Sequence, residues 1–265
     1  MARTALPDTI PLQKGILYGP VLSRRLGRSL GLNILPDEIK VCSMDCAYCQ
    51  YSWTGLLSIR PAQFASFLPG REEVRGALEA ELLRLKGKGT PPDTITFSGN
   101  GEATLHPDFP GIAADVRELR DAHAPGCRTA ILSNATTVGR PAIRQALLLL
   151  DDPILKLDTA REDTFHALNG PAAGVSFREV VDGLRAMEGR FILQALFVRG
   201  KVDNSTGEEI EQWVHLVREL HPRSVQIYTL DRGPADRALR PLPAARLRAI
   251  ASALRSAGLE AYAFV

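Results

Sequence analysis

The chain has 265 residues, 45% of them hydrophobic and 23% charged, with a formal net charge of +2. This is the composition of a folded globular chain, and the near-neutral charge leaves no strong electrostatic footprint for nucleic acid. Four cysteines, three of them within eight residues, do not make a secreted disulfide framework. Without an apolar leader or a membrane-length apolar run, a reducing, cytoplasmic setting is expected.

Residues 1–18, with Pro7, Pro11 and Gly15, read as an extended arm ahead of one domain over 19–265. Gly31 to Leu35 alternates as a first strand. Just before it, Arg24, Arg25 and Arg28 form a basic cluster, either a solvated turn or an anion-binding group. A helix is predicted over about Glu72 to Lys86, where Val74, Leu78, Leu82 and Leu85 fall on one face. Thr94 to Ser98 is a β-branched strand that runs straight into Gly99-Asn100-Gly101-Glu102. A helix over 110–123 then leads to the strand Thr129 to Leu132, which ends in Ser133-Asn134. A helix from Ala142 to Leu150 leads to Ile154 to Leu157, which ends in Asp158.

Ser176 with Glu179, and Thr206 with Glu209, are capping boxes that open two more helices. Phe191 to Val198 is a strand carrying one polar residue, Gln194, which needs a hydrogen-bond partner if buried. Val225 to Leu230 is a sixth strand, and a last helix over 244–257 stops at Gly258. The tail from Glu260 to Val265 has room for a short strand. This alternation argues for a parallel sheet with helical crossovers, in either a doubly wound or a barrel form.

Val41 to Tyr51 carries the chemistry. Cys42, Cys46 and Cys49 stand in the pattern C-x3-C-x2-C, with Tyr48 just before the last. Soft sulfur ligands select zinc, copper(I) or iron–sulfur clusters, and three thiolates suit a cluster with one metal open to a non-protein ligand. A zinc loop completed by His106 is the alternative. Cys127 stands apart as a bystander thiol.

The C-x3-C-x-aromatic-C stretch resembles the signature of the radical S-adenosylmethionine (SAM) enzymes. The Gly19-Pro20 to Gly31 block is similar to a subgroup related to the tRNA wyosine-synthesis proteins. The resemblance implies a partial (β/α)6 barrel. It also implies a four-iron, four-sulfur (4Fe-4S) cluster on Cys42, Cys46 and Cys49, with SAM on the fourth iron. Gly99, Asn100, Gly101 and Glu102 would then meet the SAM amino group, and Ser133 and Asn134 its carboxylate or ribose. Lys156 and Asp158 would meet the ribose or carboxylate, Gln194 the cofactor from inside the barrel, and Tyr48 and Tyr228 the adenine. An external one-electron donor of flavodoxin or ferredoxin type is expected, with an RNA, peptide or small-molecule substrate left open.

Overall fold

The structure is a computed structural model that describes residues 8–265. The first seven residues of the predicted arm, Pro7 included, lie outside it. Strand β1 (Leu17–Ser23) turns back as β2 (Gly27–Leu32), and two short strands follow, β3 (Val41–Cys42) and β4 (Leu56–Leu57). Helix α1 (Arg71–Gly87), β5 (Thr94–Phe97), α2 (Phe109–His123), β6 (Arg128–Ser133), α3 (Pro141–Leu147) and β7 (Asp152–Lys156) come next. Helices α4 (Glu162–Asn169) and α5 (Phe177–Arg185) precede β8 (Ile192–Leu196) and the short β9 (Val198–Arg199). The chain ends with α6 (Gly207–Leu220), β10 (Ser224–Tyr228), the short β11 (Arg240–Pro241), α7 (Ala244–Ser256) and β12 (Ala261–Phe264).

The main sheet has eight strands in the order β1-β2-β5-β6-β7-β8-β10-β12. Every pair in it is parallel except β1 with β2. The parallel strands lie side by side in chain order without a reversal. A doubly wound sheet needs a point where the order changes direction, so the barrel form is the one adopted. Arg24, at the β1–β2 turn, donates to the carbonyl of Val265 (2.8 Å) and to Asp231 (3.1 Å). That contact ties the first edge of the sheet to the chain beyond the last, and the sheet curls into a partial (β/α)6 barrel.

Strand residues alternate between the two faces. Leu30, Ile95, Phe97, Leu155, Leu193 and Val225 join the helices in one core, with Val74, Leu78, Leu82 and Leu85 of α1. The alternate positions are more polar. Lys156, Gln194, Gln226 and Tyr262 lie in one register row across four strands.

Both capping boxes form at their first bond, with Ser176 accepting from the Glu179 N–H (3.4 Å) and Thr206 from that of Glu209 (3.3 Å). Two expectations need correcting. The first parallel strand is Gly27–Leu32 rather than Gly31–Leu35, because β1, which begins inside the predicted arm, pairs with it as a hairpin and sets its register. Helix α4 was not anticipated, since eight residues carry too little periodicity to stand out.

Candidate active site at the strand ends

Close backbone approach sets the cysteine loop. The Val41 N–H donates to the Asn100 carbonyl (3.0 Å), and the Glu102 N–H donates back to that of Val41 (3.1 Å). At Gly101, with φ at +140°, a Cβ would lie 1.7 Å from the Val41 oxygen, so only glycine permits this seam. The far end of the loop rests on α4: the N–H groups of Asp45 and Ala47 donate to the carbonyls of Asn169 (3.0 Å) and Leu168 (2.9 Å). These are carbonyls that a helix end leaves without partners of its own.

Each of the three clustered thiols has a nitrogen donor beside it. Asn134 Nδ2 lies 3.5 Å from Cys42 Sγ, and Asn169 Nδ2 lies 3.6 Å from Cys46 Sγ. The Lys40 ammonium lies close enough to Cys49 to interact with it electrostatically, and it donates to the Ser52 carbonyl at 2.7 Å. Lys40 is only 5% exposed. Burial opposes its charge, but the thiols of Cys49 and Cys42 outweigh that and hold its pKa above the ordinary lysine value. Burial pushes the Cys42 and Cys46 thiols up, that of Cys46 to about 11. Cys127 is buried elsewhere, donating to its neighbour's carbonyl, Arg128 O, at 3.3 Å.

Glu102 is buried at 1% exposure and serves as a hub. Its Oε1 accepts from the Ser133 hydroxyl (2.9 Å) and from the N–H (3.2 Å) and hydroxyl (2.5 Å) of Thr104. Its Oε2 accepts from the Asn134 N–H at 2.6 Å. Burial raises the Glu102 pKa even against these donors. Asn134 in turn donates to the Ser43 hydroxyl (2.9 Å) as well as facing Cys42. Glu102, Ser133 and Asn134 are therefore one unit with the cysteine loop.

A second chain of contacts starts on the other side of the loop. Asp158, 3% exposed, accepts from the Tyr48 hydroxyl (2.5 Å), Asn169 Nδ2 (2.8 Å) and the Leu196 N–H (2.8 Å). Lys156 pairs with Asp158 at 3.2 Å, donates to the Tyr228 hydroxyl at 3.0 Å, and lies 4.9 Å from the Tyr48 ring centroid. Burial works against the Lys156 charge, but Asp158 and Tyr228 more than offset it and its pKa is raised. Burial and the Asp158 carboxylate hold the Tyr48 phenol well above its usual range. Asn169 Oδ1 is buried beside this group and has no partner among the described residues.

Asn100, Gln194 and His106 have their partners within the protein. Asn100 is fully engaged by the scaffold: its side chain donates to the carbonyls of Gln13 (2.9 Å) and Pro36 (2.8 Å) and accepts from the Gln13 N–H (2.8 Å), while Asn33 takes its N–H (3.1 Å). Gly99, at φ +133°, gives Asn33 that access, since a Cβ would lie 2.6 Å from Asn33 Oδ1. Gln194 stands on the interior row of the sheet, as expected, and donates there to Gln226 at 3.1 Å. His106 spends both ring nitrogens locally, Nε2 on the Pro69 carbonyl (3.0 Å) and Nδ1 on the Asp108 N–H (3.1 Å), and burial lowers its pKa. It cannot complete a zinc site where it stands, and no three His, Cys, Asp or Glu side chains among the described residues converge on a single-ion site. In this arrangement His106 is not placed as a fourth ligand beside the three cysteines.

The family model described as "Radical SAM superfamily" matches residues 39–217. The chain belongs to the radical SAM superfamily. It is 31% identical over 82% of its length to a protein named GTPase Obg of Brachyspira hyodysenteriae, of which it covers 30%. UPF0026 proteins match it more evenly. That of Methanocaldococcus jannaschii is 29% identical over 85% of this chain and 67% of its own, and that of Synechocystis sp. 30% identical over 87% and 78%. The chain thus spans under a third of the first relative and two thirds or more of the other two. Among solved structures, a radical SAM methyltransferase from Sphaerobacter thermophilus superposes with a TM-score of 0.60 at 15% identity, over 89% of this chain and 65% of that one. Archaeal TYW1 gives 0.53 at 14% identity over 86% and 72%, and Streptococcus suis SuiB bound to its precursor peptide SuiA 0.63 at 15% over 89% and 48%. These likenesses establish the superfamily barrel. No helix among the described residues is long and apolar enough to cross a membrane.

Two residues that sequence reasoning missed are Lys40 and Asn169. Lys40 stands two positions before the first cysteine, where a lysine in a loop has no distinguishing signal. Asn169 is 123 residues from Cys46. The one clue to it was the asparagine–glycine pair that ends α4, where Gly170 takes the left-handed conformation.

Proposed function

We propose that Cys42, Cys46 and Cys49 hold a 4Fe-4S cluster and that SAM binds beside it, making this chain an enzyme that abstracts hydrogen from its substrate. The observation that carries the reading is the set of nitrogen groups beside the thiols, with Asn134 at Cys42, Asn169 at Cys46 and the Lys40 charge near Cys49. Hydrogen bonds to sulfur favour the deprotonated thiolate and tune an iron–sulfur centre. Without metal, burial keeps two of these thiols protonated, so binding must release protons. The orphaned Oδ1 of Asn169 adds a buried acceptor that a ligand would satisfy.

When bound, the cluster and SAM supply a one-electron reductive cleavage that yields the 5′-deoxyadenosyl radical. The chain's part is to place them. Glu102 fixes Ser133 and Asn134, and Asn134 braces Cys42. Asp158 orders Tyr48, Asn169 and Lys156 into a wall that would hold the nucleoside part of SAM. A flavodoxin- or ferredoxin-like donor supplies the electron. The near-neutral charge argues against an RNA substrate bound by its phosphate backbone alone.

Anaerobic reconstitution tests the assignment. Wild-type protein should take up about four irons and four sulfides per chain, the content of one such cluster, and its reduced spectrum should change when SAM is added. Replacing any one of the three cysteines by alanine should abolish both. Uptake of one zinc per chain with no response to SAM would overturn the reading.

A further inference from the structure

We propose that Arg25, held against the Tyr228 ring, forms an oxyanion subsite that takes a phosphate or carboxylate group of the substrate. The proposal rests on the reading above and adds a chemical class to its substrate. Arg25 stands at the turn between β1 and β2, at the place where the hairpin reaches the far edge of the curled sheet. Its guanidinium carbon lies 4.7 Å from the ring centroid of Tyr228 and 5.8 Å from that of Phe264. Those rings are register neighbours on β10 and β12. Lys156 Nζ lies 5.0 Å from the same Tyr228 ring.

The two cations differ in what balances them. Lys156 has Asp158 at 3.2 Å, and the neighbouring Arg24 has Asp231 at 3.1 Å. Arg25 has neither: its Nη1 is buried and has no hydrogen-bond partner among the described residues. A buried, unsatisfied donor on a charged group is costly, and proteins retain one chiefly where a ligand completes it. Cation–π contact with the two rings holds the guanidinium in place, and its nitrogens make no hydrogen bond among the described residues, so an oxyanion would supply the partners they lack.

The geometry favours a substrate group over the carboxylate of SAM. Arg25 leans on β10 and β12, the last strands of the sheet. The nitrogen donors to the thiols of Cys42 and Cys46 come instead from the end of β6 and from α4. Between the two regions lie Tyr228, Lys156 and Tyr48. A substrate anchored at Arg25 would extend from there toward the cysteine loop.

The test uses reconstituted holoenzyme and two probes, inorganic phosphate and acetate, titrated by calorimetry with and without saturating SAM. Wild type should bind at least one of them, and the tighter probe gives the class. The R25M variant should lose about tenfold to a hundredfold in that affinity, as expected for a charge-assisted pair, while R25K retains part of it. Iron content and SAM affinity of both variants should match wild type. No binding of either probe, or equal binding by R25M, would overturn the proposal. So would loss of probe binding when SAM is added together with weakened SAM binding in R25M and R25K, because the anion would then be that of SAM. Failure of wild type to assemble a cluster or bind SAM would count against the functional reading alone, since probe binding is read separately.

Discussion

The two sides of the barrel mouth treat their polar groups in opposite ways. On the side of β5 and β6, Glu102 meets four donors, Asn100 meets partners at its N–H, its carbonyl and its side chain, and Ser133 both donates and accepts. On the side of α4, β8 and β10, Asn169 Oδ1 and Arg25 Nη1 are buried and unpaired. A completed network fixes backbone, whereas an incomplete one is stable only if something else arrives to complete it. The glycine-rich Gly99 to Glu102 turn, the more conspicuous of the two in the sequence, is thus the frame of the cysteine loop. The less conspicuous side is the one that keeps buried polar atoms unpaired.

The largest effect expected is at the thiols. Alanine at Cys42, Cys46 or Cys49 should remove cluster iron and all SAM cleavage, while alanine at Cys127 should leave both intact, read by iron content and product formation. Next comes Glu102, whose role on this account is positional. E102A strands the buried donors of Ser133, Thr104 and Asn134, so chemical denaturation should show a loss of about 3 kcal/mol. The same substitution should disorder Cys42 through Asn134 and reduce iron content. A variant with E102A that kept full stability would merge the two sides and break the comparison.

Lys40 gives a subtler effect, because it alone among the nitrogen groups beside the thiols carries a full charge. Removing one positive charge from beside a buried centre lowers a reduction potential by on the order of 100 mV at an effective dielectric of 20. Spectroelectrochemistry should show that drop in K40M and not in K40R. Equal potentials in wild type and K40M would mean that Lys40 only pins the Ser52 carbonyl.

The smallest effect lies on the outer shell. Asp115 of α2 is held below the usual carboxylate range by its hydrogen bond to Arg71, with Arg75 adding to it. A depressed carboxyl stabilises the fold above its unfolded pKa and loses that contribution as pH falls through its folded one. D115N should therefore lower stability at neutral pH and flatten its loss in acid, below about pH 4. A parallel downward shift at every pH would instead assign the effect to packing.

What the sequence revealed and what it hid divide along the same line. Val74, Leu78, Leu82 and Leu85 announce the buried face of α1 because a helix imposes a period, and the strands show themselves through β-branched runs for a similar reason. The thiols are legible because three cysteines in eight residues have few explanations. Lys40, Asn169 and Arg25 carry no period and no motif. Their meaning comes from residues brought beside them by the curl of the sheet: Asn169 by the docking of α4 on the loop, and Arg25 by the hairpin that joins the two edges. The strand order needed the structure as well, since alternating strands and helices fit two topologies until their neighbours are known.

The most direct measurement is 5′-deoxyadenosine formation by the anaerobically reconstituted protein, given a strong one-electron reductant and SAM. The account predicts its formation, slow without substrate, dependent on reductant, and absent when Cys42, Cys46 or Cys49 is replaced. A protein with a full cluster and bound SAM that forms none under these conditions would contradict it.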